Sequence, residues 1–272
     1  MPINGMQSIF EWEVELAISG AISLQRNNIT FNVEKGEENP FTTTLTLSKT
    51  KNGVKCVLIA RAYNQENAND VAVYFVGQAL DVLSLQLDIP LHLDFFRPEF
   101  REISNHVKRI INQEEWYEAF HLGRNYSLNR RYFSRALSWY RKGLVSDDPI
   151  DRLVAFWSAL ESICSKFYEQ NDRTDLGIIN KVCNCFDQIW DNSNNWKIIP
   201  NRPEIINHFY DFRNGFSHGF LRVDIENIRC LTLDLPIYQN LVRHFLLDWE
   251  SDGIEIENRT QPNSIENSPQ SL

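Results

Sequence analysis

From Ser127 to about Glu250 the apolar residues recur every three or four positions, a spacing whose hydrophobic face only helices can bury. The stretch Asp148 to Phe167 sets the frame. Asp148 stands as an N-cap, Pro149 occupies the first helical position, and Asp151 lies in the first turn, where the helix dipole favours negative charge. Behind this start, Ile150, Leu153, Val154, Trp157, Leu160, Cys164 and Phe167 form a stripe typical of a bundle helix. Further helices are predicted over Asn129 to Leu144, Asp175 to Trp190, Asn201 to Gly219 (with Glu204 completing a capping box) and Ile237 to Asp248.

The first hundred residues follow a different rule. Glu11 to Leu16 alternates charged and apolar residues as a half-buried strand does, and Ile29 to Val33, Thr42 to Leu47 and Val54 to Arg61 read as further strands. The last two are joined by a turn at Lys51-Asn52-Gly53. A helix from Ala68 to Leu87, closed by Pro90, would cover one face of the sheet. The expected fold is thus an α+β N-terminal domain over 1–100 and an all-α helical bundle over 127–251. Short helices over Pro98 to Asn112 and around Glu114 to Phe120 would form a linker across 101–126, and the polar, proline-bearing stretch 252–272 is expected to be disordered.

Composition narrows the chemistry. The hydrophobic share of 43% is that of an ordinary globular protein. Val71 to Leu87 is the most apolar window, but Gln78, Asp81, Ser84 and Gln86 interrupt it, which favours a buried helix over a membrane span. Residues 1–10 lack the basic start and apolar run of a secretory signal, so a cytoplasmic location is expected. The five cysteines, Cys56, Cys164, Cys183, Cys185 and Cys230, are odd in number and mostly lie in apolar runs; they read as reduced thiols, and neither a metal nor a cofactor is expected. A net charge of −9 argues against indiscriminate capture of nucleic acid. Locally the balance reverses: between Phe120 and Ser146 there is no Asp or Glu, while Arg124, Arg130, Arg131, Arg135, Arg141 and Lys142 supply positive charge among tyrosines and a tryptophan. Arg130, Arg131 and Arg135 are candidate RNA contacts, with most of the aromatics expected in the core.

The helix ending at Gly219 carries the densest polar cluster. At 100° per residue from Phe212, a core stripe of Ile205, Phe209, Phe212 and Phe216 places Arg213, Ser217, Asn214 and His218 at roughly 100°, 140°, 200° and 240°, on the other side. A guanidinium, an amide and an imidazole on one surface suit a phosphodiester, whose negative charge grows during attack. His218 sits at a helix C-terminus, where the dipole favours a cation and the Arg213 charge opposes one.

Arg213-Asn214-Gly215-Phe216-Ser217-His218 resembles the Arg-Asn-x-x-x-His motif of the HEPN superfamily, helical modules found in toxins, antiphage effectors and RNA-processing enzymes. Asp151 to Glu161 resembles the second-helix pattern of its Apea-like, MauJ-like branch, and both elements occur in the expected order within 127–250. The resemblance implies a metal-independent endoribonuclease in which the RNA 2′-hydroxyl attacks the adjacent phosphate, leaving a 2′,3′-cyclic phosphate. His218 would move protons, Arg213 would stabilise the phosphorane, and Asn214 would orient His218 or the substrate, with Glu161 and Ser217 in support. It also implies a homodimer whose two motifs share one cleft; Ile206 and Tyr210, beside the motif, would need cover. A toxin or stress and phage-defence effector, with a regulator or antitoxin bound by the N-terminal domain, fits this implication. The alternative is a noncatalytic module binding RNA, nucleotide or protein, in which Arg213 and His218 serve as an ion pair and a helix cap.

Overall fold

The computed structural model describes residues 9–32, 42–51, 53–95 and 107–260. Two compact units divide at Arg130/Arg131. An N-terminal antiparallel sheet region precedes a mostly helical C-terminal part, with eight α-helices among the described residues.

In the first unit, β1 (Phe10–Ser19), β3 (Asn28–Asn32), β4 (Thr42–Thr50), β5 (Gly53–Ala62) and β6 (His92–Phe95) form one antiparallel sheet in the order β3-β4-β5-β1-β6. Alternation decides which face is core: Val54, Cys56, Leu58, Ala60 and Ala62 of β5 are buried, one every second residue. Gly53 is needed where β4 turns into β5, since its φ is +145° and a Cβ there would come within 2.1 Å of the Ile18 carbonyl oxygen. Asn52 of the expected turn lies outside the described residues.

Helix α1 (Gln65–Leu87) starts three residues before its predicted position because Asn64 caps it, accepting from the Asn67 N–H at 2.8 Å. It is long and apolar enough to cross a membrane, yet here it packs on β5, β1 and α2 (Gln113–Asn129), with Ala68, Ala72, Val76, Leu80 and Leu83 buried. Helix α2 was expected to belong to a linker. Instead it is a capped core helix of the first unit, and Gly123 lets it lie directly against the α1 backbone at Gln78. The short helix expected over Pro98 to Asn112 is corrected at its end: Arg109–Ile111 is a strand, β7, paired in parallel with β2 (Ile22–Leu24), because Ile111 is buried and the Arg109 N–H donates to the Ala21 carbonyl. Residues 96–106 of that expectation lie outside the described set.

The second unit comprises α3 (Arg131–Val145), α4 (Pro149–Cys164), α5 (Ile178–Trp190), α6 (Glu204–Ser217), α7 (Ile225–Ser251) and α8 (Gly253–Thr260). Asp148 caps α4 as expected, accepting from the Ile150 and Asp151 N–H groups. Helix α4 is the centre of the unit. Leu153, Ala155, Phe156, Trp157, Ala159, Leu160, Ile163 and Cys164 are all buried, and α3, α5, α6 and α7 pack around it. Helix α7 runs twelve residues further back than predicted, straight through Pro236. Pro236 lacks the N–H that would bond the Thr232 carbonyl, and both residues lie on the exposed side of the helix.

Disorder from residue 252 is also corrected. Residues 253–260 form α8, anchored by the Trp249 indole N–H donating to the buried Glu257 carboxylate at 2.7 Å. Residues 261–272 lie outside the described set.

Four of the five thiols, Cys56, Cys164, Cys183 and Cys185, are buried, and among the described residues no three His, Cys, Asp or Glu side chains converge as metal ligands. Burial pushes the Cys183 thiol up to about 11 and Cys56 up to about 12, which suppresses their thiolates near neutrality. Ellman's reagent at pH 8 should therefore titrate one thiol quickly, Cys230, and five after denaturation. A second fast thiol in the native protein would contradict this packing.

Candidate active site at the end of helix α6

Helix α6 begins without the expected capping box. Asn201 adopts a left-handed φ of 59° and its N–H donates to the Ser193 carbonyl, so Pro203 takes the N-cap position and Glu204 points into solvent near Arg202. The buried side of α6 is also turned from its predicted direction. Ile205, Ile206, Phe209 and Phe216 are buried while Phe212 is only half-buried, which centres the core arc at about 60° from Phe212 rather than on it. Phe209 meets Trp157 edge-on at 5.3 Å and stacks on Tyr238 at 4.1 Å; Tyr210 lies 5.2 Å from Trp157. Ile206 thus obtains its cover from the second unit itself and requires no second subunit, while Tyr210 packs on Trp157 and stays half-exposed.

This rotation moves Arg213 from the far side to the edge of the core. Its Nη1 donates to Asn214 Oδ1 at 2.8 Å, its Nη2 stands 3.8 Å from Glu161 Oε2, and its Nε is buried with no partner. The Trp157 indole N–H, one turn before Glu161 on α4, is likewise buried and unpartnered. Leaving such donors unsatisfied is costly, about 1–3 kcal/mol each, so the zone around Arg213 and Trp157 holds donors without acceptors. Trp157 was read from the sequence only as core; that its N–H ends unpaired near Tyr210 depends on the packing of α6 against α4.

His218 is the C-cap of α6. Its N–H donates to the Asn214 carbonyl at 2.9 Å, while its side chain is exposed, with the ring 6.0 Å from Phe220. Asn214 therefore connects the other two motif residues, holding Arg213 through its amide and His218 through its backbone. Ser217 is exposed at the last helical position. Beyond it Gly219 takes a left-handed φ of +71°, and the Leu221 N–H donates back to the Gly215 carbonyl. Leu221 then lies over Gly215, where a Cβ would come within 2.4 Å of its side chain.

Of the candidate RNA contacts, Arg131 and Arg135 are exposed on α3. Arg130 is corrected: it is 9% exposed, ends α2 and lies over the Tyr126 ring at 5.5 Å, so it is packed as a structural cation. His208, read as an ordinary surface or core histidine, pairs through Nδ1 with the Tyr238 hydroxyl at 2.9 Å and lies 3.6 Å from Asp234. Burial and Asp234 together raise the Tyr238 hydroxyl pKa, keeping it neutral.

No protein-family model matches the chain, and comparison with curated proteins and with solved structures finds no match either.

The seat of Leu221 on Gly215 is testable. In Gly215→Ala the added methyl displaces Leu221, while the helix-propensity gain of about 1 kcal/mol offsets much of the overpacking. The expected result is a nearly unchanged melting temperature with faster hydrogen exchange at the Leu221 amide. Unchanged exchange would contradict the close approach.

Proposed function

We propose that the second unit is a HEPN domain of the Apea-like, MauJ-like branch acting as a metal-independent endoribonuclease, with Arg213, Asn214 and His218 as its catalytic residues. One observation carries the reading: an exposed imidazole at a helix terminus sits one turn from a guanidinium and amide that are already hydrogen-bonded to each other. In this reading His218 accepts the proton of the ribose 2′-hydroxyl as that oxygen attacks the adjacent phosphorus. The P–O5′ bond breaks, the departing oxygen takes a proton, and a 2′,3′-cyclic phosphate and 5′-hydroxyl remain. Arg213 offsets the charge of the phosphorane. Glu161 positions Arg213, and Ser217 lies beside the reacting groups.

A homodimer belongs to the same proposal, with the second copy's His218 delivering the proton to the 5′ oxygen. Its support is not Ile206 or Tyr210 but the apolar surface after the motif: Phe220, Val223, Ile225 and Leu233 are 71–83% exposed. The first unit, which carries none of the motif residues, is proposed to bind a regulator or antitoxin, and the chain to act as a toxin or a stress and phage-defence effector in the cytoplasm.

The inward turn of Arg213 favours a second reading, a noncatalytic module in which Arg213 and Glu161 form a structural pair. Cleavage of end-labelled RNA in EDTA separates the two. The nuclease predicts cyclic-phosphate ends from the wild type and a loss of at least about 100-fold in His218→Ala and Arg213→Ala. Equal background from all three leaves the noncatalytic module. For the dimer, sedimentation at micromolar concentration should give twice the 31.9 kDa chain mass, reverting to one in Phe220→Asp/Leu233→Asp. A wild-type monomer would end the shared-cleft proposal.

A further inference from the structure

Helix α3 has two sharply different sides. Phe133, Ala136, Leu137 and Tyr140 are buried, whereas Arg131, Arg135 and Lys142 are exposed and fall within about 40° of one another around the helix axis. Half-exposed Tyr132 and Trp139 flank the three cations on one side, with Lys142 4.3 Å over the Trp139 ring and Arg131 4.7 Å over Tyr132. Lys166, just beyond α4, also lies over Tyr132 at 5.6 Å. None of Arg131, Arg135, Lys142 and Lys166 has a carboxylate partner among the described residues. On a chain of net charge −9 this is a concentrated exception, bounded by Asp147 and Asp148 at its far end.

The strip also has a direction. Trp157 meets Tyr210 and Glu161 meets Arg213, so α6 advances in the same sense as α4; Tyr140 meets Phe156 and Tyr132 meets Phe167, so α3 runs the opposite way. The start of α3 and the end of α6 therefore share one end of the second unit, that of Lys166 and His218.

We infer that the outer face of α3 binds single-stranded nucleic acid and leads the strand toward the His218 end of this unit. Cations spaced along about 16 Å of helix match successive backbone phosphates, and the half-exposed rings of Tyr132 and Trp139 beside them offer stacking partners that a duplex, with its bases already stacked, does not use. The surface itself stands on charge and geometry alone; only its role in feeding a cleavage site rests on the nuclease reading.

The test uses the full chain carrying His218→Ala, so that RNA is not cut, with a fluorescent 12-nucleotide single-stranded RNA followed by anisotropy. Four phosphate contacts at about 0.7 each predict that log K falls with log salt with a slope near −3. Arg131→Glu/Arg135→Glu/Lys142→Glu should bind about a hundredfold or more weakly, with unchanged circular dichroism since all three side chains are exposed. Trp139→Ala should lose about tenfold with the slope retained, a signature of stacking that charge alone does not give. Equal binding by the triple variant, or equal affinity for a duplex of the same length, overturns the inference. So does capture by phosphatidylserine vesicles that RNA fails to displace, which would make the strip a lipid contact. If the single strand binds through α3 while the wild type cuts nothing, this surface stands and the nuclease reading falls.

Discussion

The burial of α4 around most of its circumference is the constraint from which the second unit follows. A helix with apolar residues around most of its circumference keeps only a narrow open strip, here Asp151, Val154, Ser158, Glu161 and Ser162, so neighbours must cover the rest. Trp157 lies at the contact with α6, and deleting an aromatic of this kind from a packed core costs about 3–5 kcal/mol. Because Phe209 and Tyr210 both meet that indole, the rotation of α6 is set by Trp157 rather than by its own stripe of phenylalanines. The motif inherits the rotation, and this is why Arg213 reaches Glu161 while His218, past the last turn, stays in solvent.

The polar consequences are uneven. The Trp190 and Trp196 indoles donate to Asp248 and Asp187, and Trp249 to Glu257, so three large core residues also satisfy buried carboxylates or tie distant segments together. Trp157 is the contrast. It has the same donor and no acceptor, and Arg213 Nε shares that condition. Native interiors pair nearly all such groups. Of the five buried side-chain donors without a partner among the described residues, Ser84 Oγ, Trp116 Nε1 and Arg152 Nε lie elsewhere, and these two lie on α4 and α6 beside the motif. An anion placed there would find donors already desolvated.

The first unit rests on different physics. Its sheet buries one face by alternation along β5, while the end of β1, Leu16 to Ser19, is buried on both faces; α1 packs on these strands with small residues, Ala68, Ala72 and Ala79, that allow close approach. Two glycines settle where backbones cross: Gly53 beneath Ile18 and Gly123 against Gln78. Such crossings leave only a lone glycine in the sequence, and for that reason α2 read as a connector when it is part of a core.

Local chemistry determined much from the chain itself. The four long strands, α1, and the start of α4 at Asp148 follow from alternation, caps and helical periodicity, all of which act within a few residues. Arg213, Asn214 and His218 were legible as a polar group near a helix end for the same reason. The tertiary structure decided what depends on distant partners. The passage of α7 through Pro236 and the persistence of α8 past residue 252 need neighbours that local propensity does not contain. The strand at Arg109–Ile111 needs Ile22–Leu24, and the meeting of Lys166 with Tyr132 joins residues 34 positions apart. The same holds for the facing of Arg213: a hydrophobic stripe specifies a face only to within one side chain, and packing against Trp157 chose the final turn.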